Sequence, residues 1–435
     1  MTNPLRALGE AGQAVWLDYL HRKILDDGEL KRLIDEDGLT GLTSNPSIFE
    51  KAIGEGDAYD ERLKRAIAAG DAEVGELYER LAIADIQAAA DRFRPTYDRL
   101  NGADGYVSLE VSPYLAMDTK ATVAEARRLW RAVDRPNLMI KVPGTKPGVP
   151  AIRALIGEGI NINVTLLFGI DAYLAVAEAH MAGLEDFKAS GGDISRVHGV
   201  ASFFVSRIDG MIDKKIDERL KSAIGETAET LKCLRGKVAI ANAKLAYQRY
   251  LELIASARWK ALAGLGAAPQ RLLWASTGTK DPAYSDVLYV ETLIGPDTVN
   301  TMPPKTLDAF RDHGQVRPRL TEGLEAARAV IEGAKRLDLD LAGVTDALVV
   351  DGVVKFAESF DALLGAVATK RAKMLGGRLN AQSIAVPDDL DAALKAMLQK
   401  AAAEGWTRRL WAADAGLWTG GDEAKWLGWM VAGRG

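Results

Sequence analysis

The chain has 435 residues, 48% hydrophobic and 26% charged, a balance that gives an ordinary soluble protein able to bury a large core. A formal net charge of -5 argues against a general nucleic-acid surface, which needs clustered basic residues to neutralise phosphates. The single cysteine, Cys233, excludes an intrachain disulfide and a thiolate metal cage, so nothing asks for an oxidising compartment.

The opening stretch MTNPLRALGEAGQ lacks the apolar core of a signal peptide. No window reaches the roughly 18 uninterrupted apolar residues of a membrane helix, so a cytoplasmic protein without membrane contact is expected. From Ala14 onward, short apolar runs alternate with amphipathic or alanine-rich segments: AVWLDYL, GLTGLTSN, GYVSLEV, NLMIKV, INVTLLF, VASFFV, RLLWAST and TVNTMPP. Repeated strand-helix units predict a parallel sheet. About eight strands over some 290 residues, Ala14 to Pro304, fit a (β/α)8 TIM barrel better than an open doubly wound sheet, because no glycine-rich nucleotide turn follows the first strand. Gly54 to Leu100 is too long for one crossover and carries at least two helical patterns, DAYDERLKRAIAAG and VGELYERLAIADIQAAADRF, which predict a helical insertion. Asp346 to Arg371 reads as a long closing helix or helix pair, with the glycines of LGGRLN able to end it. Residues 1-375 are therefore read as the barrel. Residues 376-435 are read as a separate C-terminal helical tail, with a helix in VPDDLDAALKAMLQKAAAEGW followed by the tryptophan-rich RRLWAADAGLWTGGDEAKWLGWM.

Within the strands, residues two apart point the same way. Val15 and Leu17 oppose Asp18; Val107, Leu109 and Val111 oppose Glu110; Ile140 and Val142 oppose Lys141; Ile160, Ile162 and Val164 oppose Asn161, Asn163 and Thr165; Leu42 opposes Thr43 and Asn45. In a barrel the apolar faces meet the helices and the polar faces point inward, with functional groups gathered near the carboxyl ends of the strands. Lys141 stands out, because burying an ammonium costs several kcal/mol unless it is paired or gives up its proton. A lysine, two carboxylates, amides and hydroxyls converging in a partly dry barrel mouth are what carbonyl chemistry through an imine needs. Each residue also has a structural reading. Asp18 and Glu110 would serve as ion-pair partners, Asn45 as a helix cap ahead of Pro46, and Asn163 and Thr165 as interior hydrogen bonders. His21, His180, His198 and His313 are scattered without ligand spacing, and neither a P-loop nor a GxSxG elbow is present, so no metal and no cofactor are expected.

Taken together, LTSNPSIF, VSLEVSP, IKVPGT, GININVTLLF and the closing-helix region resemble the transaldolases, of the longer bacterial type, over roughly Leu5 to Leu375. The resemblance implies a barrel enzyme of the pentose phosphate pathway that moves a dihydroxyacetone unit between sugar phosphates through a lysine Schiff base. It implies Lys141 as the nucleophile, Glu110 with Thr165 as holders of the water that assists imine formation, and Asp18 as the base for the sugar hydroxyl. Asn45, Asn163 and Ser202 would orient substrate hydroxyls. Arg207, in SFFVSRIDGMID, falls where the family has its phosphate arginine, although a salt bridge to Asp209 or Asp213 is the structural alternative. Ser276, in ASTGTKD, is a second phosphate donor, but Gly278 stands where shorter transaldolases carry another arginine. Lys280 is the nearest basic residue to replace that charge.

The expected partners are thus small-molecule sugar phosphates. Relatives of this kind also admit a homodimer, although no interface is legible in the sequence. The tail resembles the junction of bacterial fusions of transaldolase with glucose-6-phosphate isomerase; without an isomerase core, no isomerase activity is expected. An accessory helix with covered tryptophans is the alternative for this segment. Two other functions stay open at this point: a fructose 6-phosphate aldolase, from which Glu110 argues away because those aldolases resemble one another in carrying glutamine there, and a noncatalytic sugar-phosphate-binding barrel.

Overall fold

The computed structural model describes residues 3–70, 73–376 and 386–430. Eight parallel strands close into a barrel in sequence order: β1 (Gln13–Asp18), β2 (Gly41–Thr43), β3 (Tyr106–Glu110), β4 (Leu138–Pro143), β5 (Ile162–Leu167), β6 (Gly199–Phe204), β7 (Arg271–Ala275) and β8 (Thr298–Met302). β1 pairs with both β2 and β8, so no edge is left open. All eight expected strands are present. The ends are shorter than the apolar runs suggested; β1 stops at Asp18, and Tyr19 already belongs to the mouth.

The alternation works as the sequence implies. Val15, Leu17, Leu42, Val107, Leu109, Ile140, Val142, Ile162 and Val164 are all buried. Each such side chain taken out of water stabilises the fold by about 1.5–3 kcal/mol before entropic costs. The opposite faces fill the barrel. At its amino-terminal end the interior is plugged: Trp16 Nε1 donates to Asp104 Oδ1 at 2.9 Å, and Arg271 Nη1 reaches Asp104 Oδ2 at 3.2 Å. Tyr106, whose hydroxyl donates to Gly102 O at 2.6 Å, lies against the His198 ring. The Trp16 ring lies so close over Gly41 that a β-carbon there would sit 2.4 Å from it. Glycine is therefore required at that position for a steric reason.

Three helices lie between β2 and β3, at Pro46–Gly54, Asp60–Ala68 and Val74–Arg99, the last being the 26-residue crossover. The closing helix is longer than Asp346 to Arg371 and forms one element of 35 residues, Leu341–Leu375. Its proposed end at LGGRLN falls mostly outside the described residues. By internal contacts the chain divides into the units Met1–Arg371 and Ala372–Gly435. The second contains a helix at Asp388–Ala403, a short one at Trp406–Trp411 and 3-10 turns at Ala415–Leu417 and Glu423–Met430. Among the described residues, no helix is long and apolar enough to cross a membrane.

Candidate active site

Strand register brings the central groups level. Glu110 on β3 pairs with Lys141 on β4, and Lys141 with Asn163 on β5. Asp18 on β1 is level with Thr43 on β2. These residues are side by side because each is the inward member of an alternating pair; Asp18, Thr43 and Glu110 end their strands, whereas Asn163 lies early in β5.

The Lys141 and Glu110 side chains are only 6% and 4% exposed, with Nζ and Oε2 3.2 Å apart. Nζ donates to Ser44 O at 3.1 Å, whereas neither Glu110 oxygen is held by an aligned hydrogen bond. Burial pushes the Glu110 carboxyl above the usual carboxylate range; the Lys141 charge opposes the shift and the Asp18 charge adds to it. Asp18 is likewise pushed up by burial, against the pull of Lys141 and a 2.7 Å hydrogen bond from Thr43 Oγ1. Thr43 Oγ1 lies 2.8 Å from Thr301 Oγ1 of β8. Two carboxyls disposed to hold protons, flanking a primary amine, form an acid-base set around a nucleophile.

A cavity of about 660 Å³ opens over this set, a size that suits a sugar phosphate. Asp18, Asn45, Lys141, Thr165, Ser202, Arg207, Ser276 and Lys280 line it. Glu110 and Asn163 do not reach its wall. Glu110 faces a separate cavity of about 210 Å³ with Tyr78, Ser112 and Phe360. Asn163 is engaged by the protein, donating to Ser108 Oγ at 3.0 Å and accepting from Ser202 Oγ at 2.7 Å. Asn45 does cap a helix, its Oδ1 accepting from Ile48 N at 3.0 Å with Pro46 in the first turn, and it lines the cavity as well. Thr165 Oγ1 is buried with no partner. It precedes Leu166, which has a φ of 59° in a register shift between β5 and β6. A non-glycine residue in that region is strained, and such bulges re-aim side chains beside functional sites.

Arg207 makes neither salt bridge that would have given it a structural role. Asp209 instead accepts from Ala239 N at 2.8 Å and Tyr289 OH at 3.0 Å, and Asp213 from Gly236 N at 3.0 Å and Tyr284 OH at 2.7 Å. Arg207 Nη1 is buried without a hydrogen-bond partner, and its guanidinium lies 5.1 Å from the Phe204 ring centre. A half-buried cation with an unpartnered Nη1, on the first turn of the helix Ser206–Leu220, is prepared for an anion. Ser276 holds φ at 56°, with its Oγ 3.0 Å from Ser206 Oγ.

The transaldolase/fructose-6-phosphate aldolase profile matches residues 15–367. The chain belongs to that family. A transaldolase of Trichodesmium erythraeum is 48% identical over 377 residues, covering 86% of this chain and 99% of its own length. One from Thermobifida fusca is 50% identical over 373 residues, with coverage of 86% and 99%. A Nostoc punctiforme protein named transaldolase 2 is 49% identical over 373 residues, covering 85% and 98%. The chain is accordingly an enzyme, a transferase of the transaldolase type.

For this transaldolase-family barrel, sequence reasoning left several cavity residues unnamed. Lys51, Lys305, Thr301 and Phe356 also line the mouth. Lys51 and Lys305 sit on helices just beyond β2 and β8, where a lone lysine has no periodic signature. Thr301 was within reach, since it alternates inward on TVNTM. Phe356 comes from the Leu341–Leu375 helix, far along the chain, and nothing local marks it. Among the described residues, no group of His, Cys, Asp or Glu side chains is arranged to hold a metal ion.

Proposed function

We propose that the enzyme transfers a dihydroxyacetone unit from a ketose phosphate such as sedoheptulose 7-phosphate to an aldose phosphate such as glyceraldehyde 3-phosphate, through an imine on Lys141. The observation that carries this reading is the Lys141 amine, buried between Ser44 O and the Glu110 carboxyl and open to a cavity that also presents Arg207. An amine attacks a ketone only when unprotonated, and the adjacent carboxylate takes the proton. The carbinolamine then loses water, with Glu110 supplying the proton and Thr165 Oγ1, which is unpartnered, holding the water. Asp18 removes the proton of the sugar hydroxyl, the adjacent carbon–carbon bond breaks, and its electron pair flows into the iminium to give an enamine. The free aldose leaves; the acceptor aldehyde reverses the steps, and hydrolysis frees Lys141.

Asn45 and Ser202 orient substrate hydroxyls in this scheme, with Asn163 holding Ser202 in place. Arg207, Ser276 and Lys280 receive the phosphate. The exposed ammonium of Lys280 acts as a point charge in the absence of a second arginine.

Borohydride with fructose 6-phosphate tests the first step. A reduced three-carbon adduct on Lys141 by mass spectrometry, absent from the Lys141→Met protein, is expected; an unmodified Lys141 would refute the imine. With erythrose 4-phosphate present, sedoheptulose 7-phosphate should form, whereas release of free dihydroxyacetone alone would make the enzyme an aldolase. Arg207→Ala should raise KM for phosphorylated substrates about ten-fold or more, as loss of a charge-assisted contact does, and leave dihydroxyacetone little affected. Equal effects on both would remove its phosphate role.

A further inference from the structure

The two cations assigned to the phosphate stand on separate elements. Arg207 is in the first turn of the helix Ser206–Leu220, and Lys280 is in the loop that follows β7. Lys280 makes no ion pair among the described residues, and a lysine on a free loop is a poorly aimed charge. The residues beside it are firmly tied. Asp281 Oδ1 accepts from Ala283 N at 2.9 Å, and its Oδ2 takes Arg235 Nη2 at 2.7 Å.

Arg235 lies between the helices Gly225–Leu234 and Val238–Ala255, away from the cavity wall. Its Nε donates to Asp217 Oδ1 at 2.9 Å, and its Nη1 to Tyr284 OH at 2.9 Å. The guanidinium also lies 5.5 Å from the Tyr284 ring centre. Tyr284 OH donates in turn to Asp213 Oδ2 at 2.7 Å. Asp213 and Asp217 belong to the same helix that carries Arg207. One bonded set, centred on Arg235, therefore joins the Lys280 loop to the Arg207 helix. Gly236 makes room for it, with φ at 68° and a β-carbon position only 2.6 Å from the Tyr284 ring.

We propose that Arg235, together with Tyr284, is a positioning residue for phosphate recognition: it fixes the spacing between the β7 loop and the Ser206–Leu220 helix, so that Lys280 and Arg207 meet one phosphate. The inference rests on the assignment of Lys280 and Arg207 given above. A guanidinium that bridges Asp217 and Asp281 through a rigid fork is suited to this task, and such an anchor acts on ground-state binding of the phosphate more than on the chemistry.

The test compares the parent with Arg235→Ala, Arg235→Lys, Tyr284→Phe, Lys280→Ala and the Arg235→Ala/Lys280→Ala double variant, each assayed with fructose 6-phosphate and with dihydroxyacetone as donor. Arg235→Ala should raise KM for fructose 6-phosphate about five-fold at nearly unchanged kcat and spare dihydroxyacetone; the coupling predicts no further increase in the Lys280→Ala background. Tyr284→Phe, which keeps the ring and loses both hydroxyl bonds, should shift KM in the same direction, and Arg235→Lys should recover part of the loss. The clamp is overturned if the Arg235→Ala effect persists undiminished without Lys280, or if dihydroxyacetone turnover falls equally. If Lys280→Ala leaves KM for fructose 6-phosphate unchanged, the Lys280 assignment itself fails, and the clamp fails with it by that separate route.

Discussion

At Asp18 the proposed chemistry carries a consequence for stability. Its carboxyl is pushed above the ordinary value of 3.8, chiefly by burial. The folded protein thus holds that proton more tightly than the unfolded chain does. Stability linked to this group is present in acid and declines as the pH rises through the raised value. Asp18→Asn removes the cost of ionising it while an amide oxygen can still accept from Thr43. The D18N protein should therefore melt higher than the parent at neutral pH, the gap closing as the pH falls into the ordinary carboxyl range. Its turnover should drop by about 10²–10⁴-fold, the scale of a lost general base. Thermal melts across pH, alongside steady-state rates, check both halves; a D18N protein less stable than the parent at neutral pH would contradict the assigned direction.

Strands were the most legible elements, because each carries its own two-residue ruler. Asp18, Glu110, Lys141, Asn163 and Thr165 all point inward as alternation requires, and Lys141 could be singled out within NLMIKVPGT. Alternation fixes a face but not a depth, which is why it could not distinguish Glu110 and Asn163, set behind the wall, from Ser202 and Thr165 on it. Contributions from elements distant in sequence, such as Phe356, depend on how helices pack and have no local signature. The same holds for the floor, where the Trp16 ring covers Gly41 and is tied to Asp104 at 2.9 Å. That tie prevents the ring from swinging aside, so Gly41→Ala should cost about 1–3 kcal/mol, as overpacking does, and lower Tm by several degrees. A melt unchanged from the parent would mean that the floor yields.

Every residue placed in the site lies in the Met1–Arg371 unit, and the family match ends at residue 367. A chain truncated after Leu375 should keep kcat and KM within about two-fold of the parent, since it retains every residue placed in the site and the whole family match. Loss of turnover in a truncated chain that still melts cooperatively would give the tail a part in the reaction.

The barrel floor also dictates the traffic. With Trp16, Asp104 and Arg271 plugging the far end, donor and acceptor share the mouth onto which Lys141 opens. The departing aldose must clear that entrance before its replacement can come in, while the three-carbon fragment waits inside, tethered to the wall. Sealing one end thus enforces an alternation of guests.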